Sequence, residues 1–123
     1  VSNFKPDRLS VVSIYAQDIP TTAHFYMDVI GLPLLHDHHD PVALDTGGTF
    51  LVILRGDPPR SPDPDHSGFP LLTFAVDDLD EAVRHLQDHQ VEIVDGIREK
   101  NGTRWVLFQD PAGNLLEFAR FGG

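Results

Sequence analysis

"GNLLEF" occupies residues 113–118, and "GTFLVI" occupies residues 48–53, an offset of 65 (113 − 48). Each opens on glycine, passes through one polar residue, and runs into apolar side chains suited to a strand. Asp18-Ile19 likewise matches Asp78-Leu79 at an offset of 60 (78 − 18). A chain that repeats its punctuation at this spacing reads as two copies of one unit.

Outward from these strands, each half has the same grammar. "LSVVSIYAQD" (9–18) is rich in β-branched residues and reads as a strand. Ile19, Ala23, Tyr26 and Ile30 then recur at helical spacing, with Asp18 as cap, Pro20 in the first turn and Gly31 at the end. Leu32–His36 and Pro41–Asp45 read as short strands, Gly47-Gly48 as a tight turn and "TFLVIL" as a buried strand. In the second half "PLLTFAVD" is a strand. "DLDEAVRHLQDHQ" is a helix with Leu79, Ala82, Val83 and Leu86 on one face and Asp78 with Glu81 as capping box. Val91–Val94, Thr103–Gln109 and Asn114–Arg120 follow as strands, joined by Asn101-Gly102 and Asp110-Pro111-Ala112-Gly113 turns.

The spacing therefore predicts an α+β chain of two βαβββ modules, about 9–55 and 70–121. Residues 56–69 connect them; with Pro70 the stretch carries five prolines (58, 59, 62, 64 and 70) and no apolar period. Neither module could cover both faces of its sheet alone, so residues 1–123 are expected to fold as a single domain.

Composition narrows the function. The chain has 123 residues, 41% of them hydrophobic, and no cysteine. Disulfides and thiolate metal sites are excluded, as a reducing compartment would favour. No apolar stretch approaches the roughly 20 residues that span a bilayer, and "VSNFKPDRLS" lacks a signal peptide's apolar core. A soluble, cytoplasmic protein without a membrane partner is expected. The net charge of −10 repels phosphate backbones and disfavours nucleic acid. Asn101-Gly102-Thr103 fits a glycosylation acceptor and Arg55-Gly56-Asp57 an adhesion tripeptide, but both are better explained as turn chemistry.

"DIPTTAHFYMDVIGL" (18–32) and "FQDPAGNLLEF" (108–118) resemble the first-helix and closing motifs of the glyoxalase/bleomycin-resistance/extradiol-dioxygenase superfamily, the vicinal oxygen chelate proteins. The resemblance spans about Leu9 to Phe121. It implies paired βαβββ modules whose curved mixed sheets enclose a cleft, and in some members a divalent ion held by His and carboxylate ligands. Carried onto this chain, the expected histidine positions fall on Val11 and Leu71. The acid of the first module's last strand falls on Val52, and only Glu117 keeps a ligand type. With apolar residues at three of four positions, no metal and no other cofactor is expected.

Strand alternation groups Leu115, Glu117, Ala119 and Phe121 on one side of the last strand. The resemblance implies that this side faces the cleft. Trp105 and Leu107 share a parity whose offsets from Asp110 match inward positions of antibiotic-resistance relatives. Val11, Ser13 and Tyr15, Phe50 and Val52, and Leu71 with Thr73 have the inward parity on their strands. The expected ligand-binding set is thus Glu117, Trp105, Tyr15, Phe50, Leu107, Ser13, Thr73, Val11, Val52 and Leu71.

Three readings of function remain open. One is a homodimeric protein similar to the bleomycin-resistance branch, sequestering a planar or cationic small organic molecule. The second is a metal-dependent glyoxalase-like lyase, isomerase or dioxygenase using Glu117 with non-equivalent histidines, its further donors coming from His36, His38 or a partner subunit; His39 lies in the same cluster. Glu117 acting alone as a general base is a third route. His24, His85 and His89 fall on helices, the last two as an exposed i, i+4 pair, and His66 lies in the proline-rich connection.

Overall fold

Ile14 and Ala16 lie on one side of the first strand, Val11, Ser13 and Tyr15 on the other, and this alternation decides how the first half packs. The computed structural model describes residues 3–39, 41–59 and 71–122, with backbone alone at 36–39. The chain divides into two compact units, Val1–Gly56 and Asp57–Gly123.

The first unit runs β1 (Val11–Ala16), α1 (Ile19–Phe25) with a π-helical turn at Tyr26–Ile30, β2 (Leu34–His39), β3 (Val42–Asp45) and β4 (Phe50–Arg55). Its sheet order is β1-β4-β3-β2, with β1 parallel to β4 and the other pairs antiparallel. The second runs β5 (Leu72–Ala75), α2 (Leu79–Asp88), β6 (Arg98–Lys100), β7 (Thr103–Gln109) and β8 (Leu115–Arg120). Its order, β5-β8-β7-β6, repeats the first with the same parallel and antiparallel pairings. The expected architecture of paired βαβββ modules is the one observed.

Each helix starts on an aspartate. The two carboxylate oxygens of Asp18 accept from the Thr21 backbone N–H at 3.1 Å and the Thr21 hydroxyl at 2.8 Å. Asp78 accepts from the Glu81 N–H at 3.1 Å. Such caps satisfy amides that have no partner within the helix. Leu79 and Leu86, two turns apart on α2, are buried with Val106, Phe108, Leu116 and Phe118 of β7 and β8. The Phe108 and Phe118 rings lie 4.7 Å apart, and Phe74 meets Phe118 edge-on. In the first unit Ile14, Ala16, Leu44, Leu51 and Ile53 are buried with Ala23, Phe25 and Tyr26. Each large apolar side chain so buried contributes about 2 kcal/mol.

Four details depart from the sequence reading. The first helix does not stay α-helical to Ile30: Gly31, at φ 88°, donates back five residues to the Tyr26 carbonyl and widens the last turn. β2 begins at Leu34 rather than Leu32, because the chain leaves the helix through Gly31 and through Pro33, whose carbonyl accepts from Asp45. "TFLVIL" is not buried throughout: Leu51 and Ile53 are, whereas Phe50, Val52 and Leu54 on the other face are half-buried. Val91–Val94 is not a strand. Only Ile93 bridges to Phe108, and the second strand of this module is Arg98–Lys100. Asn101 (φ 53°) and Gly102 (φ 83°) form a two-residue turn that sets Lys100 opposite Thr103, so the paired strand must lie immediately before it.

Candidate functional site

The register of the last two strands is fixed by a buried carboxylate. Asp110, only 4% exposed, accepts from the Ala112 and Asn114 amides at 3.0 and 2.9 Å on Oδ1. Its Oδ2 accepts from the Asn114 side chain at 2.9 Å. Gly113, at φ 100°, completes the turn by donating to the Asp110 carbonyl. The sequence marked this stretch as a turn but not the burial of its aspartate. The signal was an asparagine four residues on, able to return two donors to one carboxylate.

That turn sets Gln109 opposite Leu115, and hence Leu107 opposite Glu117 and Trp105 opposite Ala119. On the other side of β8, Thr73 is paired with Glu117. The face away from α2 therefore carries a row Thr73–Glu117–Leu107, with Trp105 diagonal to Glu117 at about 7 Å between side-chain origins. The Thr73 hydroxyl donates to Glu117 Oε1 at 3.0 Å. Among the described residues neither Glu117 Oε2 nor the Trp105 indole N–H has a hydrogen-bond partner, and both side chains are half-buried. Leu71 stands on the same face just before β5, 38% exposed. Phe121 falls beyond β8 and is exposed.

The corresponding face of the first unit is built from the same positions with different chemistry. Val11 pairs with Phe50 and Ser13 with Val52, so Ser13 and Val52 repeat the places of Thr73 and Glu117 without an acid. Tyr15 follows on the same side, and its ring packs on Gly56, where an added Cβ would sit 3.0 Å from Tyr15 Cδ1. Val11 and Tyr15 are 46% and 39% exposed, so this face too retains accessible apolar surface. The ten residues expected to bind ligand thus form two groups: Val11, Ser13, Tyr15, Phe50 and Val52 in one unit, and Leu71, Thr73, Trp105, Leu107 and Glu117 in the other.

A divalent ion needs several oxygen or nitrogen donors around it. The hydrocarbon side chains of Val11, Val52 and Leu71 offer no lone pair. The immediate partners of Glu117 are a hydroxyl and a leucine. Among the described residues no three His, Asp or Glu side chains gather into an ion-holding group. The residues described do not fit the superfamily's metal. The side chains of His36, His38 and His39, and all of His66, lie outside the described residues. The His85 and His89 rings lie 4.4 Å apart, tilted at 52°, at the C-terminal end of α2; His89 is exposed, whereas His85 is half-buried rather than exposed as the sequence suggested. His24 lies 3.7 Å from Asp28 on the first helix.

Two carboxyls away from this face have altered acidity. Asp18 is held below the usual aspartate value of 3.8 by the Thr21 hydroxyl, then by the Thr21 amide, with a smaller pull from Arg55. Asp95 is lowered by its hydrogen bond from Arg98, then by the Gly96 amide.

A duplicated βαβββ chain with acids at its helix starts and a closing Asp-Pro-Ala-Gly turn defines a class of paired-module proteins. Residues 8–118 match the model of the glyoxalase/bleomycin resistance protein/dioxygenase superfamily, and the chain belongs to that superfamily. It is 32% identical over 119 residues to the uncharacterized protein YaeR of Escherichia coli (strain K12), covering 86% of this chain and 90% of that protein. Among solved structures, a glyoxalase/dioxygenase from Nostoc punctiforme superposes with a TM-score of 0.79 at 23% identity, covering 100% of this chain and 99% of that one. The antibiotic-binding protein TnmS3 from Streptomyces sp. CB03234 superposes with a TM-score of 0.75 at 22% identity, covering 98% and 100%. At these identities the superpositions establish the fold.

Proposed function

We propose that this protein binds a small organic molecule, flat and bearing a hydrogen-bond donor or positive charge, with no metal or other cofactor taking part. Trp105 supplies the stacking surface, Leu107 and Leu71 the apolar border, and Glu117 the acceptor. Val11, Ser13, Tyr15, Phe50 and Val52 form the equivalent face of the first unit, which we propose as a ligand-contacting surface in its own right. The observation that carries this reading is the Thr73–Glu117 hydrogen bond. A neutral hydroxyl orients the carboxylate through one oxygen without neutralising its charge, which leaves the other oxygen for a ligand. The net charge of −10 favours a cationic guest at longer range, and TnmS3 gives the same fold an antibiotic-binding precedent. We also propose that the protein works as a cytoplasmic homodimer, that its two modules act as one folding unit, and that neither nucleic acid nor membrane is a partner. No helix among the described residues is long and apolar enough to cross a bilayer.

The competing reading is metal-dependent lyase, isomerase or dioxygenase chemistry. It draws on the retained acid at Glu117 and on the Nostoc glyoxalase/dioxygenase, and it requires donors from His36, His38, His39 or a second subunit. Elemental analysis of purified protein together with a ligand titration separates the two. Trp105 is the sole tryptophan, so its fluorescence reports binding at this face. Quenching by planar cations in metal-free protein supports sequestration. Stoichiometric Zn, Ni, Mn or Fe, with turnover abolished by a chelator, defeats it.

A further inference from the structure

We propose that Asn101 is a site of spontaneous deamidation, and that the isoaspartate formed there loosens the β6–β7 hairpin that carries Trp105. The chain has three asparagines, Asn3, Asn101 and Asn114, and only Asn101 precedes a glycine. The reaction needs the next residue's backbone nitrogen to reach the side-chain carbonyl carbon, and glycine has no side chain to obstruct that approach. Asn101 and Gly102 are both exposed at the tip of the turn. Among the described residues neither the Asn101 carboxamide nor the Gly102 N–H has a hydrogen-bond partner to hold it.

The other candidate positions are protected in ways the structure makes explicit. The Asn114 carboxamide donates to Asp110, and its amide is bound to the same carboxylate. Asn3 is followed by the bulky Phe4. Asp95-Gly96 has the same backbone freedom in sequence, but Arg98 pairs with the Asp95 carboxylate and the Gly96 amide already donates to it. An ionised carboxylate is a poor electrophile.

The step balances with water alone. Base removes the Gly102 amide proton, and the nitrogen forms a bond to Asn101 Cγ. The carboxamide nitrogen takes up one proton, replacing the one lost from the Gly102 amide, and leaves as ammonia, giving a cyclic imide. Water then opens the imide. Cleavage at the main-chain carbonyl yields isoaspartate, with the backbone rerouted through Cβ; cleavage at Cγ yields aspartate. Either product adds one negative charge.

Isoaspartate also lengthens by one carbon a loop in which both central residues must adopt positive φ to hold Lys100 opposite Thr103. β6 is the strand that suffers. It has three residues, all exposed, pairs among the described residues only with β7, and places Arg98 opposite Trp105.

Intact protein incubated at mildly alkaline pH, then digested and mapped by mass spectrometry, tests this. The expected result is progressive loss of the unmodified Asn101 peptide, two chromatographically distinct deamidated products in its place, and unchanged Asn3 and Asn114 peptides. Asn101→Gly keeps a turn-competent Gly-Gly pair and should release no ammonia from this position. In the isoaspartate fraction the Lys100 and Thr103 amides should exchange hydrogen faster than in Asn101→Asp, which has the added charge without the extra backbone carbon. The proposal is overturned if Asn101 stays intact in the folded protein while the urea-unfolded chain converts over the same period. It also fails if Asn3 or Asn114 converts first, or if exchange in the isoaspartate fraction matches Asn101→Asp.

Discussion

Glu117 and Val52 occupy equivalent places in the two copies of one strand, each opposite a hydroxyl residue, Thr73 or Ser13. Only the second copy retains a charge, and Thr73 orients it. Glu117→Gln keeps an oxygen that can accept from Thr73, so its melting temperature should stay close to that of the parent. Its affinity for planar cations, read by Trp105 fluorescence, should fall while affinity for neutral planar molecules holds. Equal losses for both kinds of ligand would show that the charge plays no part in recognition. Trp105→Ala should weaken all of them by about 0.5–1.5 kcal/mol beyond the lost contact area, measured calorimetrically because the reporter is gone. Asp110 acts on stability instead. Asp110→Ala strands two backbone amides and the Asn114 carboxamide, and should cost about 3 kcal/mol in denaturant unfolding.

At the scale of elements, the helix starts make a pH prediction. The Asp18 carboxyl is more acidic in the folded chain than in the unfolded one. Its contribution is therefore complete above the ordinary aspartate value of 3.8 and is lost as pH falls through the lower folded value. Asp95, lowered by Arg98, behaves the same way. Thermal unfolding followed through the acid range should show the parent losing stability more steeply below that value than Asp18→Asn, which can cap but not titrate. Parallel curves would remove Asp18 from the account. Asp78→Ala should lower stability by about 1 kcal/mol through loss of the α2 cap.

The same scale shows what local pattern could and could not convey. The caps of α1 and α2, the Gly31 stop and both named turns were legible, because each depends on residues within a few positions of one another. The second strand of the second module, β6, was not. Val91–Val94 has the composition of a strand, whereas Arg98-Glu99-Lys100 has none of its apolar alternation. Pairing was decided by the Asn101-Gly102 turn, which favours whichever residues lie beside it. Strand propensity expresses packing on a half-buried surface, and three exposed residues leave no such trace.

For the whole molecule, each unit buries its own core on one side of its sheet, around Tyr26 and Leu51 in the first and around Leu86 and Phe108 in the second. If the modules act as one folding unit, Leu86→Ala in the second should lower the unfolding midpoint of the first by the same amount. The cost should be about 2–5 kcal/mol, seen as one coincident transition by far-ultraviolet dichroism and Trp105 fluorescence. Two separated transitions would make the modules independent.

The sequence by itself determined the duplicated βαβββ architecture, the superfamily and the side of each strand on which candidate ligand-binding residues stand. These follow from periodicity, caps and turns, and such signals survive in a linear string because their physical causes are local. Only the tertiary structure decided that Thr73 holds Glu117, that Asp110 is buried within its turn, and that Val52 faces Ser13 where the other copy has an acid and threonine. The first and last of those facts join residues more than thirty positions apart. Sheet register supplies such contacts, and it is set by the chain's long-range pairing rather than by any one segment's composition.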